Sequence, residues 1–193
     1  MATLSEVVVS ATGASKPATF KISDFKSSVG KLVRPNLFRA KIYGPPGIGS
    51  IPNFSFRCEK AEFPGKSVAT VDDPGGGGTT LKLPYDVTYN DIVLSIICSA
   101  DMAERIYFEN WINLIILPAG IRGGLIRYHS QYSRGQSLEV EQLDEQNKIL
   151  LRWVMEDIYP IAISSMNAVW DEINTYQRFE VTLTYRHYQI ERT

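Results

Sequence analysis

Most of the chain alternates apolar and polar residues with the period of a β-strand. One stretch does not. Asp101 to Leu117, DMAERIYFENWINLIIL, repeats its apolar residues with the period of an α-helix. Tyr107, Phe108, Trp111, Leu114 and Ile115 follow i, i+1, i+4, i+7, i+8 spacing and share one face, which can close over a sheet. Asp101 is placed to cap the helix and Glu104 completes a capping-box pattern. Pro118 and Gly120 are expected to stop it. On the other side Arg105, Glu109 and Asn113 form a narrow polar ridge, flanked by Met102 and Ile106 and by Ile112 and Ile116. A helix greasy on both flanks needs more than one cover. A sheet together with a long loop would serve, and so would another subunit.

The remaining pattern predicts strands. Phe38, Ala40 and Ile42 alternate with Arg39 and Lys41 in a half-exposed strand that opens after Pro35. Phe54, Phe56 and Cys58 oppose Ser55, Arg57 and Glu59, which predicts a strand over Phe54 to Lys60. Ser67 to Val71 forms a short strand. Leu81, Leu83, Tyr85, Val87 and Tyr89 share the face of another, in which Pro84 removes a ladder donor and points to an edge or a bulge. Ile92 to Cys98 is nearly all apolar, as in a strand covered on both sides. Ser137 to Leu143 and Lys148 to Asp157 form a hairpin around the turn DEQN at Asp144 to Asn147. Tyr159 to Ile161 crosses towards the turn WDEIN at Trp170. One continuous closing strand is predicted from Tyr176 to Tyr188, with Phe179, Val181, Leu183 and Tyr185 facing inward. The architecture expected is therefore mainly β with some α: an antiparallel β-sandwich or partial barrel with one flanking α-helix.

The start reads differently. Leu4 to Val9 could form a short strand, Ala11 to Thr19 is small and polar, and Gly30 breaks the weak helical spacing of Ile22, Phe25 and Val29. Residues 1–33 are expected to be an N-terminal arm, ordered where something receives it, ahead of a β domain over 34–193. The segment Asp72 to Thr80, DDPGGGGTT, holds four successive glycines, which are costly to order and offer nothing to pack. It reads as a floppy hairpin tip or as a loop that settles against a neighbouring molecule.

Composition narrows the function. The chain has 193 residues and a net charge of −1, with no basic excess of the kind that binds nucleic acid or a membrane surface. Two cysteines, Cys58 and Cys98, are too few for a disulfide framework and are expected as buried free thiols. No basic region followed by an apolar run opens the chain, and no apolar run reaches membrane-spanning length, so a cytoplasm-like compartment is expected. Catalytic patterns are missing. The loop Gly44 to Asn53, GPPGIGSIPN, looks superficially like a phosphate cradle, but Ser50 follows Gly49 where the lysine would be needed. His129 and His187 lie in separate strand-like segments, and no Cys/His group has zinc spacing. Ile121 to Arg134 mixes arginines with Tyr128 and Tyr132; a solvated strand or a subunit rim explains it better than single-stranded nucleic acid. The chain is read as no enzyme, without cofactor or metal.

An ordered set of segments carries a family resemblance: RPNLF at Arg34 to Phe38, FSFRCEKAEFPG at Phe54 to Gly65, YNDIVLSI from Tyr89, FENW at Phe108 to Trp111, Tyr159-Pro160, and FEVTLTY at Phe179 to Tyr185. Together they resemble the tail tube proteins of contractile-tailed bacteriophages, the T-even-like family, from about Arg34 to the end of the chain. The long arm and the glycine-rich insert depart from it. The resemblance implies a structural protein of the virion tail, assembled in the host cytoplasm. Hexameric rings would stack into a hollow tube, with sheath protein outside, tape-measure protein and DNA in transit, baseplate and tail-terminator proteins at the ends, and no membrane partner. An acidic or neutral bore would let DNA slide. Glu139 and Glu141, with Glu180 second, are the lumen candidates; ordinary salt bridges on the outside are the alternative. Asp72, Asp73, Pro74, Gly75, Gly76, Gly77 and Gly78 are the candidates for contact between subunits. The arm is expected along a neighbour and the helix towards the sheath. A baseplate tube-initiating paralogue, the tube of a related injection or secretion system, and a virion carbohydrate-binding or -cleaving β-sandwich remain open.

Overall fold

The computed structural model describes residues 22, 27, 32–74, 78, 80–117, 125–171 and 173–192. The chain divides between Val33 and Arg34 into two units, and the architecture below is that of the second. The expected arm and its strand at Leu4 to Val9 lie outside the described residues, apart from Ile22, Ser27, Leu32 and Val33.

Two four-stranded antiparallel sheets form the body. The first has the order β1 (Phe38–Tyr43), β8 (Ser137–Leu143), β9 (Ile149–Glu156), β12 (His187–Arg192). The second has the order β10 (Tyr159–Ile163), β11 (Arg178–Thr184), β5 (Ile92–Ile97), β2 (Cys58–Ala61). Alternation decides which side of each strand is buried. Ala40, Leu138, Val140 and Met155 of the first sheet and Leu94, Ile96, Phe179, Val181 and Leu183 of the second join one core. The expected mainly antiparallel β architecture with a flanking helix is the one observed.

That helix, α2 (Ala103–Ile115), completes the core. Tyr107, Phe108, Trp111 and Ile115 are buried and Leu114 is half-buried. Phe108 meets Phe179 edge-on at 6.2 Å, and Trp111 donates its indole N–H to the Tyr132 carbonyl at 2.9 Å. Gly44, just past β1, lies against Tyr107 and Trp111 so closely that an added Cβ would collide with the phenol. The helix ends differ from expectation. The N-cap is Met102, in the left-handed region and without a side-chain cap bond; Asp101 instead accepts the Ser99 hydroxyl. Glu104 is buried and accepts both the backbone N–H and the hydroxyl of Ser99, at 2.9 and 2.6 Å. The helix stops at Ile115 because Ile116 and Leu117 become a short strand, β6, paired with β7 (Leu125–Ile126). Pro118 and Gly120 lie outside the described residues.

Two strand expectations are corrected. Phe54–Arg57 is a single helical turn, α1, entered through left-handed Asn53, and only Cys58–Ala61 is strand. Its turn buries Phe54 and leaves Phe56 86% exposed, which strict alternation would have placed side by side. The predicted closing strand is also two. The chain bends at Tyr185 and Arg186, leaving β11 in the second sheet for β12 in the first. A matching corner at Asp157, with φ 56°, carries it from β9 to β10. Asp tolerates that conformation better than most residues. Its carbonyl accepts the Ser133 hydroxyl at 2.6 Å, its carboxylate accepts the Gly135 N–H at 3.1 Å, and Arg186 donates to the Glu156 carbonyl beside it. Both cysteines are free; burial pushes the Cys58 thiol up to about 12.

Candidate assembly surfaces

The strands β3 (Lys66–Asp73) and β4 (Leu81–Tyr89) pair only with each other among the described residues and form a separate ribbon. Its base is tied to the body. Tyr89 packs on Tyr185 and Tyr188 at 5.8 and 5.7 Å, the Lys66 ammonium lies over the Tyr188 ring, and Asn90 donates to the Gly65 carbonyl. Beyond the base every residue except half-buried Ala69 is exposed. The register slips between Ala69 and Thr70, opposite Tyr85, the bulge that Pro84 foreshadows. The slip splits the single apolar face expected for β4. Val71 pairs with Leu83 on one side, and Val68 with Val87 on the other. The ribbon thus offers apolar side chains on both faces and an unpaired edge on each strand. At its tip Asp72, Asp73, Pro74 and Gly78 are exposed, and Gly78 has φ 84°, a conformation open to glycine. Gly75, Gly76 and Gly77 lie outside the described residues.

The three lumen candidates fall on two different surfaces. Glu139 and Glu141 project from the outward face of the first sheet, opposite Lys41 and Arg39 on β1 and next to Arg152 on β9. Glu141 has no exposed surface. Lys41 Nζ lies 2.9 Å and Arg152 Nη2 3.0 Å from its Oε1, while Oε2 has no hydrogen-bond partner and faces Arg39 Nη1 at 3.5 Å. Glu139 lies 3.7 Å from Lys41 and 4.0 Å from Arg152, and Arg152 also reaches Glu191 at 3.2 Å. Burial pushes the Glu141 pKa up, but hydrogen bonds and charge from Lys41 and Arg152 together outweigh it and hold the carboxyl below its ordinary value. Three cations, Arg39, Lys41 and Arg152, thereby stand among four carboxylates on this face: Glu139, Glu141, Glu156 and Glu191. Glu180 lies on the outward face of the second sheet, exposed and without an ion pair among the described residues. The sandwich separates it from the Glu139–Glu141 group.

On α2, Arg105 and Glu109 form a 2.8 Å ion pair and Arg105 also donates to the Ser164 carbonyl at 2.6 Å, while Ile106 is 53% exposed and Ile116, the first residue of β6, is 48% exposed. The sequence pattern signalled that second greasy flank. It did not signal the cation clamp on Glu141, whose members lie on three strands; opposite charges at matching positions on β1 and β8 were the available hint. Nor did it mark Trp170, which is 100% exposed beyond β10. His129 packs against Tyr132 and Tyr159, and His187 lies 3.2 Å from Glu156. Among the described residues no group of His, Cys, Asp and Glu could hold a metal, and no helix is long and apolar enough to cross a membrane.

No protein of curated function matches the chain in sequence. Solved structures do share its fold. One is from the baseplate of the anti-feeding prophage, with TM-score 0.62 and 14% identity over 84% of this chain and 97% of that one. Another is from the sheath–tube complex of an extracellular contractile injection system in the extended state, with TM-score 0.60 and 15% identity over 91% of this chain and 100% of that one. A third, from the tube-terminating cap of the anti-feeding prophage, has TM-score 0.58 and 15% identity over 85% of this chain and 93% of that one. The family model described as phage tail tube protein matches residues 24–191, nearly the whole chain, and the chain therefore belongs to the phage tail tube protein family.

Proposed function

We propose that this protein is the repeating subunit of the inner tube of a contractile phage tail. Hexameric rings stack into a hollow conduit through which tape-measure protein and DNA pass. Sheath protein surrounds the tube, and baseplate and terminator proteins close its ends. The role is structural and not catalytic. Family membership supports the tube itself. The observation that carries the assembly is the β3–β4 ribbon. A two-stranded ribbon is marginal alone in water, and this one leaves Val68, Val71, Leu81, Leu83, Tyr85 and Val87 exposed beside two edges that no described strand pairs. Further copies of the same chain supply both the missing strands and the missing apolar cover. Contacts that repeat by rotation close a ring, and a second set along the axis builds a filament.

The outward face of the first sheet suits the bore. Its cations are engaged by carboxylates, so few are left to release counterions from DNA phosphates and hold the duplex. A nearly balanced wall neither binds nor strongly repels. Glu180, on the far side of the sandwich, then faces away from the bore. The glycine-rich tip reaches a neighbouring subunit or the next ring, the arm over residues 1–33 lies along a neighbour, and the outer flank of α2 faces the sheath. Negative-stain microscopy of the purified protein tests the assembly: hollow rods or rings are expected, and uniform small particles at high concentration refute it. A cryo-EM map of the rods tests the bore. A lumen lined by unpaired arginines and lysines would refute the sliding wall, and Glu180 facing inward would reverse the orientation.

A further inference from the structure

The segment between β10 and β11 presents apolar side chains that no described residue covers. Trp170 is fully exposed, and Val169, Ile173 and Tyr176 near it are each more than half exposed. The base of the loop is pinned: Gln177 donates its amide to the Asn167 carbonyl at 3.0 Å, and its own carbonyl accepts the Cys98 N–H at 2.9 Å. A tryptophan standing in water on a loop tied at its base is suited to anchor an interface. Asp171, directly after it, has no ion pair among the described residues.

A receptor of matching chemistry lies elsewhere on the molecule. A cavity of about 590 Å³ runs along β1 and α1, lined by Ile51, Phe54 and Phe56 together with Arg39, Lys41 and Tyr43, which share one face of β1. Arg39 is the least engaged cation of the first sheet's outward face: it is 42% exposed and its ion pair with Glu141, at 3.5 Å, is longer than those of Lys41 and Arg152, so its guanidinium keeps donors to spare.

Position shows how the two can meet. β10 and β2 are the opposite edges of the second sheet. The loop returns to that sheet at Arg178, which pairs with Ile97; α1 enters it at Cys58, which pairs with Ile96. Knob and cavity therefore stand at the same end of the sheet, on opposite flanks. A knob on one flank and a hole at the same level on the other is a heterologous contact that repeats by rotation.

We propose that Trp170 of one copy inserts into the cavity between β1 and α1 of the next, with Asp171 meeting Arg39 at the rim. The proposal rests on the ring reading above and names one of its lateral contacts. Two measurements on the full chain test it. Trp170→Cys combined with Phe56→Cys, oxidised under assembly conditions, is expected to give a ladder of disulfide-linked multimers on a non-reducing gel, absent from the wild type and from either single variant. Trp170→Ser is expected to raise the protein concentration needed for assembly by at least about thirty-fold, and to leave the circular-dichroism melt of the dissociated protomer unchanged. Rings that form from the cysteine pair without cross-linking, or an unshifted assembly threshold in Trp170→Ser, overturn the knob and leave the ring standing. A wild type that never assembles overturns both.

Discussion

Glu141 shows how much of a residue's role is set by what crosses over it. Its own strand places it on an outward face, yet the stems of Lys41, Arg39 and Arg152 close over it until no surface remains. Removing its charge would leave those cations crowded around a neutral group. Glu141→Gln is therefore expected to destabilise the dissociated protomer by about 1–2 kcal/mol at neutral pH, read from urea unfolding. The pH dependence has a definite sign. The folded carboxyl titrates below its ordinary value of 4.5, so its stabilisation is present above that value and is lost as pH falls through the lower folded one. The gap between wild type and variant is expected to close under acid. A gap unchanged between pH 7 and pH 3 would show that Glu141 acts through packing and not through charge. Gly44 makes a comparable point without charge. Nothing near it in sequence announces that only hydrogen fits there; the constraint comes from Tyr107 and Trp111, some sixty residues on.

Among the elements, the helix and the ribbon sit at opposite ends of legibility. The helical period picks out Tyr107, Phe108, Trp111, Leu114 and Ile115, and the structure buries all of them but Leu114, which is half-buried. The ribbon's strands were also readable, but their faces were not, because a one-residue slip moves every later side chain to the other side. Phe54–Arg57 departs from its alternation for a related reason. Four residues are too few to separate a helical turn from a strand by period, and left-handed Asn53 settles the matter in favour of the turn. The ribbon's tip yields the prediction proper to this scale. Deleting Gly75 to Gly78 shortens a connection outside the core, so the protomer is expected to keep its melting temperature while forming few tubes. Normal tubes by microscopy would remove the tip from the interface.

At the scale of the whole molecule, assembly and stability are linked. If the ribbon and the sheet edges are completed only by other copies, each tenfold rise in concentration adds up to about 1.4 kcal/mol per protomer. For a domain of this size that corresponds to a rise of about 3–6 °C in the unfolding midpoint. A midpoint independent of concentration, measured by calorimetry across the assembly threshold, would mean that the protomer is complete alone. The outcome bears on the bore as well, since the balanced charges of the first sheet become a wall only when the sheet is repeated around an axis.

Alternation by itself determined that this is an antiparallel β protein, where most of the longer strands run, and which face of the long helix is buried. Those properties depend on residues a few positions apart, and local periodicity reports them. Tertiary structure alone decided which strand belongs to which sheet. YQRFEVTLTYRHY alternates without interruption, yet it bends at Tyr185 and Arg186 to serve two sheets, because each sheet asks its strands for the same pattern. It also decided that Glu139 and Glu141 lie beneath cations while Glu180 stands exposed on the opposite face. The partners of a charge are chosen by register between strands distant in sequence, and a one-dimensional pattern carries no record of that register.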